Sequence, residues 1–357
     1  MTAQALPPAL AAWLEQHGEE LDATPALAEQ VVPQLAAAGM FAIGVPQDQG
    51  GSGGTVIDAI DAISSVAEHS VTAAFVFWGQ RTFIEYILQS PNAALREKWL
   101  APLVRGEYAG ATGLSNAMKF LSGIESLQIG ATPSDNGWRL DGSLAWITNL
   151  RKAGFIAAAA VSPTDGAPPA IVAFTGDAAG VTRSADLDLI ALRGSNTAAV
   201  KLAGVPISAA DVIHADARAY LPPVRPAFLG MQCGLSIGLA RASLHAAQTL
   251  AGDLRGPLTE RIADLQASLE STTAELKAGV ADGRFKTAAA PMFRLRIALA
   301  DIVQQAVQVE LQASGGKAYL NGGDRHFARR WRESAFIPIV TPSLTQLQMA
   351  LQKHAGA

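Results

Sequence analysis

The stretch from Ala111 to Asn149 constrains the fold more than any other part of the chain, because its periodicity differs from its surroundings. The flanking sequence mostly has the apolar spacing of helices, whereas short apolar runs alternate with turns here. Two of these runs flank an Asn136-Gly137 pair, the strongest short-range signal for a β-hairpin. We therefore predict a sheet that brings Ser115 towards Trp146 and Thr148.

Ser115, Trp146 and Thr148 are residue types that suit a flat, electron-poor heteroaromatic ring. An indole offers a face for stacking, and a hydroxyl can donate or accept a hydrogen bond at a ring nitrogen or carbonyl. Read alone, the 146–149 run is also typical of a strand end whose tryptophan belongs to the core. The rest of the chain favours the ring site.

Helix signals divide the flanking regions. Thr24-Pro25 and Ser90-Pro91 each place a hydroxyl at a predicted N-cap before a proline. Thr55 is the predicted cap of a helix over 56–89 that is apolar on nearly every face. C-terminal helices are predicted over about 226–253, 258–280 and 291–314, with a fourth beginning at Thr341-Pro342. Four helices of this length are typical of an antiparallel bundle.

The sequence resembles the acyl-CoA dehydrogenase family of flavoproteins over nearly its whole length. Segments typical of that family occur in the family's order, at 43–53, 141–149, 192–206, 312–316 and 329–333. The resemblance implies an α+β fold with an N-terminal helical domain (1–110), a middle β-barrel or β-sandwich domain (111–215) and a C-terminal four-helix bundle (216–357). It also implies a flavin between the middle domain and the C-terminal helices.

The resemblance carries over several cofactor residues. Ser115, Trp146 and Thr148 match the family residues around the isoalloxazine ring. Gly315 and Gly316 match glycines that bind the ADP half of FAD, since glycine lets backbone approach a ligand closely. Arg255 is the candidate for an arginine that reaches the FAD pyrophosphate of a neighbouring subunit. FAD is therefore the expected cofactor, with FMN as the alternative.

Two other features bear on the substrate. In the family, the helix that corresponds to 56–89 lines the acyl pocket, so Trp78 would limit substrate length; packing in the core is the alternative. The family's loop that helps to hold the CoA arm is replaced here by 116–123, which lacks its pattern. Acyl-CoA is therefore one expected substrate, but the sequence leaves open whether the substrate carries CoA.

The catalytic base is the largest departure from the family. Dehydrogenation needs a carboxylate near the flavin to take the proton α to the thioester. The two positions that the family uses fall here at 341–344 and at Val224-Arg225, and neither carries a carboxylate. Glu85 and Glu333 are the remaining candidates.

Three functions stay open. The first is acyl-CoA dehydrogenation with a relocated base, and the second is a flavin-dependent monooxygenase that uses reduced flavin and oxygen. Such relatives lack the catalytic glutamate and resemble this chain in Thr148 and in a histidine near the C-terminus, here His354, with His326 as a further candidate. The third is a non-catalytic flavin-binding homologue.

Composition excludes several classes of protein. The 357 residues carry a formal net charge of −4, so nucleic acid is not an expected partner. No targeting or membrane-spanning segment is predicted, and we expect a cytoplasmic protein. The single Cys233 indicates no disulfide or thiolate metal site. The small residues of 230–240 predict association into a homodimer or homotetramer.

Overall fold

The structure, a computed structural model, describes residues 5–121, 123, 125–251, 256–320 and 325–355. Helices form both ends of the chain and a sheet forms its centre, which confirms the α+β class. Within this described part of the chain, no helix has both the length and the apolar character that crossing a membrane requires.

The N-terminal region is helical, and its central helix is buried on every side. The helices are α1 (Pro8–Ala23), α2 (Ala28–Ala37), α3 (Val56–His69), α4 (Val71–Leu88) and α5 (Ala93–Val104). In α4, every residue from Val71 to Ile87 is buried, as its apolar circumference predicts. The predicted 56–89 helix is divided at Ser70, whose hydroxyl accepts the N–H of Ala73 and starts α4.

One of the three predicted helix caps in this region is confirmed. Thr55 caps α3 through a capping box. The helix predicted at Thr24-Pro25 begins later, at Ala28, and α5 is capped by Asn92 rather than by Ser90. The amide side chain of Asn92 accepts a backbone N–H, and a residue of that type competes well with serine as a cap.

The centre of the chain forms one sheet of eight strands in the described residues. These are β1 (Ala109–Thr112), β2 (Ile129–Ser134), β3 (Gly137–Ile147), β4 (Phe155–Pro163), β5 (Ala170–Thr175), β6 (Val181–Arg183), β7 (Ala198–Ser208) and β8 (Val212–His214). Their order is β6-β7-β3-β2-β4-β5-β8, and β1 pairs with β4 in parallel. Ser134 faces Gly137 across an antiparallel pair, which confirms the predicted hairpin. A short helix that the sequence did not predict, α6 (Ser115–Leu121), follows β1.

The C-terminal region is again helical. Its helices are α7 (Ala217–Ala251), α8 (Gly256–Ala281), α9 (Arg284–Thr287), α10 (Ala289–Ser314), α11 (Arg325–Ser334) and α12 (Leu344–Ala355). The long helices α7, α8 and α10 pack on one another, and α12 packs on α10. Two starts differ from the prediction. Asp216 caps α7 ahead of the expected start near residue 226, and Ser343 rather than Thr341 caps α12.

The small residues of α7 are used inside the chain rather than between copies of it. A Cβ added at Gly234 would lie 2.9 Å from Ile63 of α3, and one at Gly238 would lie 2.1 Å from the Ser64 carbonyl oxygen. The predicted self-association face over 230–240 is therefore occupied by α3. Cys233 is fully buried in the same helix, and burial raises the pKa of its thiol to about 11.

We expect Gly238→Ala to destabilise the protein, because the carbonyl that its methyl group would overlap belongs to the backbone of α3. Overpacking of this kind costs about 1–3 kcal/mol, which outweighs the roughly 1 kcal/mol that alanine contributes to a helix. Gly256→Ala is the control, since nothing lies within 4 Å of its added Cβ. Denaturant unfolding followed by circular dichroism measures both. Equal stability of the two variants would contradict a close α3–α7 contact.

Candidate functional site

A cavity of about 460 Å³ lies where the end of β3 faces α4 and the segment that precedes α12. Its remaining wall comes from the end of β1 and from α6, with residues 125 and 128 at the connection to β2. The volume is within the range of small-molecule sites. Three structural regions thus meet around one cavity.

The irregular end of β3 presents its side chains to this cavity. Trp146 and Asn149 have positive φ angles of 61° and 62°, which are uncommon for residues other than glycine. Trp146 is 67% exposed, whereas Thr148 is buried and donates a hydrogen bond of 3.2 Å to the Ser195 carbonyl. The strand end therefore holds an open indole beside a fixed hydroxyl.

A buried amide on α4 fixes that strand end. The Oε1 atom of Gln80 accepts hydrogen bonds from the Asn149 side chain at 2.9 Å and from the Gly110 N–H at 2.6 Å. Its Nε2 atom donates to the carbonyls of Leu103 at 2.9 Å and Tyr108 at 3.0 Å. Sequence reasoning missed Gln80; a polar side chain inside an otherwise apolar helix was the available signal.

Ser115, Trp146 and Thr148 line the same cavity, so the structure brings together the three residues predicted around a ring. Ser115 is the first residue of α6 and is half-buried, and its hydroxyl has no hydrogen-bond partner among the described residues.

These features fit a flavin ring. A tryptophan normally buries most of its large apolar surface, so a 67% exposed indole at a cavity offers a face for a planar ligand. The Ser115 hydroxyl is free to rotate towards a ring nitrogen or carbonyl. The donor set therefore matches the chemistry of an isoalloxazine edge.

Trp78 belongs to the core and to the cavity wall at once. Its ring stacks on Phe75 at 5.4 Å, and its Nε1 donates to the Phe228 carbonyl at 3.2 Å. Both Phe75 and Trp78 line the cavity. Packing thus holds Trp78 in a fixed orientation at the cavity surface.

Neither of the two positions at which a catalytic carboxylate was expected carries a carboxylate. Thr341 lines the cavity, and Arg225 lines an adjoining cavity. Among the described lining residues, Glu125 is the one carboxylate. It accepts a 2.8 Å hydrogen bond from Asn116 and lies 3.3 Å from the Lys119 ammonium.

Glu85 does not line the cavity, because its carboxylate is committed to a structural pair. Its Oε2 accepts a 2.8 Å hydrogen bond from Arg81, and its Oε1 accepts one of 2.7 Å from Gln89. Arg81 also donates to the carbonyls of Ile43 and Gly44. Glu85 therefore helps to anchor the 43–46 loop to α4.

Glu333 does not line the cavity either. It is fully buried on α11, where its Oε1 accepts the Val71 N–H at 2.9 Å and lies 3.7 Å from Arg329. Burial raises the pKa of this carboxyl to about 7, against the lowering effect of Arg329. Glu333 therefore makes a structural polar contact between α11 and the start of α4.

Gly315 and Gly316 follow α10 and do not line the cavity. Gly315 has φ 64° and ψ −153°, a conformation open essentially to glycine alone. A Cβ added at Gly316 would meet nothing within 4 Å, so its backbone is accessible to a ligand.

The other predicted site residues remain apart from the cavity or undescribed. Arg255 lies outside the described residues. His354 belongs to α12, but its side chain is outside the described part of the chain. His326 lies 3.5 Å from Glu15 of α1, in an exposed pair.

The N-terminal sequence matches a known family. Residues 3–107 match the profile described as acyl-CoA dehydrogenase, N-terminal domain. The mitochondrial isovaleryl-CoA dehydrogenase of Pongo abelii is 27% identical over 185 residues, which are 50% of this chain and 44% of that protein. The matched region thus covers less than half of this relative's length.

Solved structures share the whole fold. Butyryl-CoA dehydrogenase from Megasphaera elsdenii superimposes with a TM-score of 0.80 at 18% identity, covering 100% of both chains. Dibenzothiophene monooxygenase from Paenibacillus sp. A11-2 has a TM-score of 0.75 at 16% identity, covering 96% of this chain and 94% of that one. The same architecture therefore occurs in proteins named for two different reactions.

We expect Glu333→Gln to gain stability relative to the wild type as pH rises from about 5 to about 8. A carboxyl whose pKa is raised on folding stabilises the folded state below its usual pKa of 4.5, and this stability is lost as pH rises through about 7. Melting temperatures of both proteins across this range measure the difference. A difference that does not change with pH would contradict a buried acid at this position.

Proposed function

We propose that the chain is a flavin-dependent oxidoreductase of the acyl-CoA dehydrogenase family, and that its substrate reacts in the cavity beside Trp146. The convergence of Ser115, Trp146 and Thr148 on one cavity carries this proposal. The exposed indole and the unpartnered serine hydroxyl are otherwise unexplained in a well-packed protein.

We propose FAD as the cofactor, with FMN as the alternative. Ser115, Trp146 and Thr148 would hold the ring, and the open backbone at Gly315-Gly316 would hold the ADP half, together with Arg255. A bound flavin supplies the acceptor or donor of a hydride, chemistry that no side chain provides. The protein's contribution is to orient substrate and ring and to move protons.

The first candidate reaction is α,β-dehydrogenation of an acyl thioester such as an acyl-CoA. It requires a carboxylate that takes the proton from the α-carbon. Among the described wall residues Glu125 is the available carboxylate, since Glu85 and Glu333 are held elsewhere. Asn116 and Lys119 would orient it.

The second candidate is oxygenation by reduced flavin, and the wall at Thr341 favours it. A hydroxyl stands there at the cavity in place of the carboxylate that dehydrogenation would use. Oxygenation needs no base for an α-proton, so a neutral wall around Thr148 and Thr341 suits it. This candidate explains why neither expected position carries an acid.

We retain a homodimer or homotetramer as the proposed assembly, on different grounds from the small residues of α7. Trp146, Ile190 and Ile339 are 67%, 81% and 67% exposed around an apolar recess next to the cavity. Contiguous exposed apolar side chains are typical of interfaces. Light scattering of the flavin-loaded protein tests this proposal.

The two reactions differ in their response to an acyl-CoA without oxygen. If the protein is a dehydrogenase, butyryl-CoA will bleach its flavin anaerobically, and Glu125→Gln will slow the bleaching by about 10²-fold or more. Glu85→Gln is the matched control and should bleach at the wild-type rate. Stopped-flow absorbance measures all three proteins.

A failure of butyryl-CoA to bleach the flavin of the wild type would contradict the dehydrogenase for this acyl group. If the flavin is bleached only by an external reductase, and reoxidation by oxygen then yields an oxygenated product, the second candidate is supported. A purified protein that binds neither FAD nor FMN would contradict both.

We expect Trp146→Ala to weaken flavin binding by about tenfold, because it removes the stacking face. Trp146→Phe should bind within about threefold of the wild type, since it keeps an aromatic face. Both replacements keep a side chain at φ 61°, so backbone strain does not distinguish them. Fluorescence titration of the flavin-free protein measures the dissociation constants. Equal weakening by both variants would contradict a stacking role.

A further inference from the structure

One wall of the cavity beside Trp146 has no regular secondary structure. It is formed by the 335–343 connection between α11 and α12, which contributes four residues to the cavity lining: Phe336, Ile339, Val340 and Thr341. Backbone hydrogen bonds within the connection join close neighbours, such as the Val340 N–H and the Phe336 carbonyl at 3.1 Å. Turns of this kind do not fix where a connection lies relative to other elements, so contacts from outside must do so.

Two buried side chains of the helical bundle hold this connection from outside. Arg296 of α10 donates from Nη2 to the Ile337 carbonyl at 2.7 Å. Gln232 of α7 donates from Nε2 to the Thr341 carbonyl at 3.0 Å. The two side chains are also joined, because Nε of Arg296 donates to Oε1 of Gln232 at 3.2 Å. One linked pair therefore fixes both ends of the 337–341 backbone to the interior of the bundle.

Arg296 is fully buried without a carboxylate partner among the described residues. Its Nη1 atom has no hydrogen-bond partner there either. Burial lowers the pKa of its guanidinium. A buried charge is costly, and a well-packed apolar side chain is often at least as stabilising in its place. Stability alone therefore does not explain an arginine at this position.

Other buried arginines have carboxylate partners. Arg81 donates to Glu85 at 2.8 Å, and Arg330 donates to Glu310 at 3.0 Å. The acceptors of Arg296 are neutral, and one of them is a backbone carbonyl of the cavity-wall connection. A hydrogen bond from a charged donor is roughly twice as strong as one between neutral groups. The guanidinium therefore holds that backbone more firmly than a neutral side chain would.

We propose that Arg296, directly and through Gln232, is a positioning residue that fixes the 337–341 backbone as a wall of the cavity. The side chains of Ile339 and Thr341 then keep their places in the lining. The distance from this wall to Trp146 limits the thickness and shape of the ligand that the cavity accepts. The effect on the ligand rests on the proposed oxidoreductase function, whereas the effect on the wall does not.

The first test is hydrogen–deuterium exchange of the flavin-free protein. In Arg296→Met, the amides of 336–341 should exchange about tenfold faster or more, as the loss of a charge-assisted hydrogen bond implies. Amides of α7 and β3 should exchange as in the wild type, which excludes general unfolding. Arg296→Lys keeps the charge and one donor to the Ile337 carbonyl, so it should restore most of the protection.

Gln304→Met is the matched control. Gln304 lies on the same helix, and its Nε2 donates to the Ser334 carbonyl at 2.8 Å. Ser334 ends α11 and is not among the residues that line the cavity. This variant should therefore leave the exchange of 336–341 unchanged. Wild-type exchange of 336–341 in Arg296→Met would overturn the proposal.

The second test is flavin binding, measured by fluorescence titration and by visible circular dichroism of the bound flavin. Arg296→Met should bind flavin about tenfold more weakly and change its dichroism, because the wall is no longer fixed. Arg296→Lys should recover the wild-type dichroism, and Gln304→Met should keep it. Melting temperatures are recorded for every variant. Flavin affinity that simply follows melting temperature across the series would contradict a positioning role.

The two tests separate the proposal from the proposed function. Faster exchange of 336–341 in Arg296→Met, in a protein that binds neither FAD nor FMN, would support the fixed wall and contradict the oxidoreductase. Flavin binding by the wild type, with exchange and dichroism both unchanged in Arg296→Met, would support the oxidoreductase and overturn the role of Arg296.

Discussion

The side-chain amide of Gln80 joins α4 to the first strand of the sheet, to the turn after β3 and to the end of α5. Its side-chain oxygen accepts hydrogen bonds from Gly110 in β1 and from Asn149 in the turn after β3. Its side-chain nitrogen donates to the carbonyls of Leu103 and Tyr108, at and after the end of α5. The contacts with Leu103, Gly110 and Asn149 are buried away from water, so leaving one of these groups unpaired would cost about 1–3 kcal/mol. The positive φ of Asn149 is tolerated because its amide is fixed in this way. The positions of Trp146 and Thr148 therefore depend on the turn after β3 that Gln80 holds.

Much of the fold follows from local signals in the sequence. The two-residue turn before Gly137 and the apolar surface of α4 determine a hairpin and a buried helix by themselves. The features that were not predicted depend on distant partners. The small residues of α7 are typical of any close helix contact, and only the fold shows that α3 is their neighbour. The short α6 has too few turns for a recognisable period.

The candidate site also contains features that the sequence predicted and features that it did not. The sequence brought Ser115, Trp146 and Thr148 together, because a hairpin and a family resemblance both lead to one cavity. The spacing of charged residues along the chain did not predict which partners their side chains have. Glu85 shares a helix face with Trp78, yet Arg81 turns its carboxylate towards the 43–46 loop instead. The Gln80 contacts and the lack of an acceptor near Arg225 depend on residues far apart in the chain.

The missing base and the unpaired arginine are two results of one arrangement. A carboxylate at position 224 would neighbour Arg225 along the chain, and one at position 341 would lie beside Pro342, which shares the wall with Arg225. Neither of these positions carries an acid in this chain. Val224 is buried and apolar, and Thr341 is neutral, so Arg225 has no anionic partner among the described residues. Among the described residues, the carboxylate at the cavity is therefore Glu125, which pairs with Lys119 rather than with Arg225.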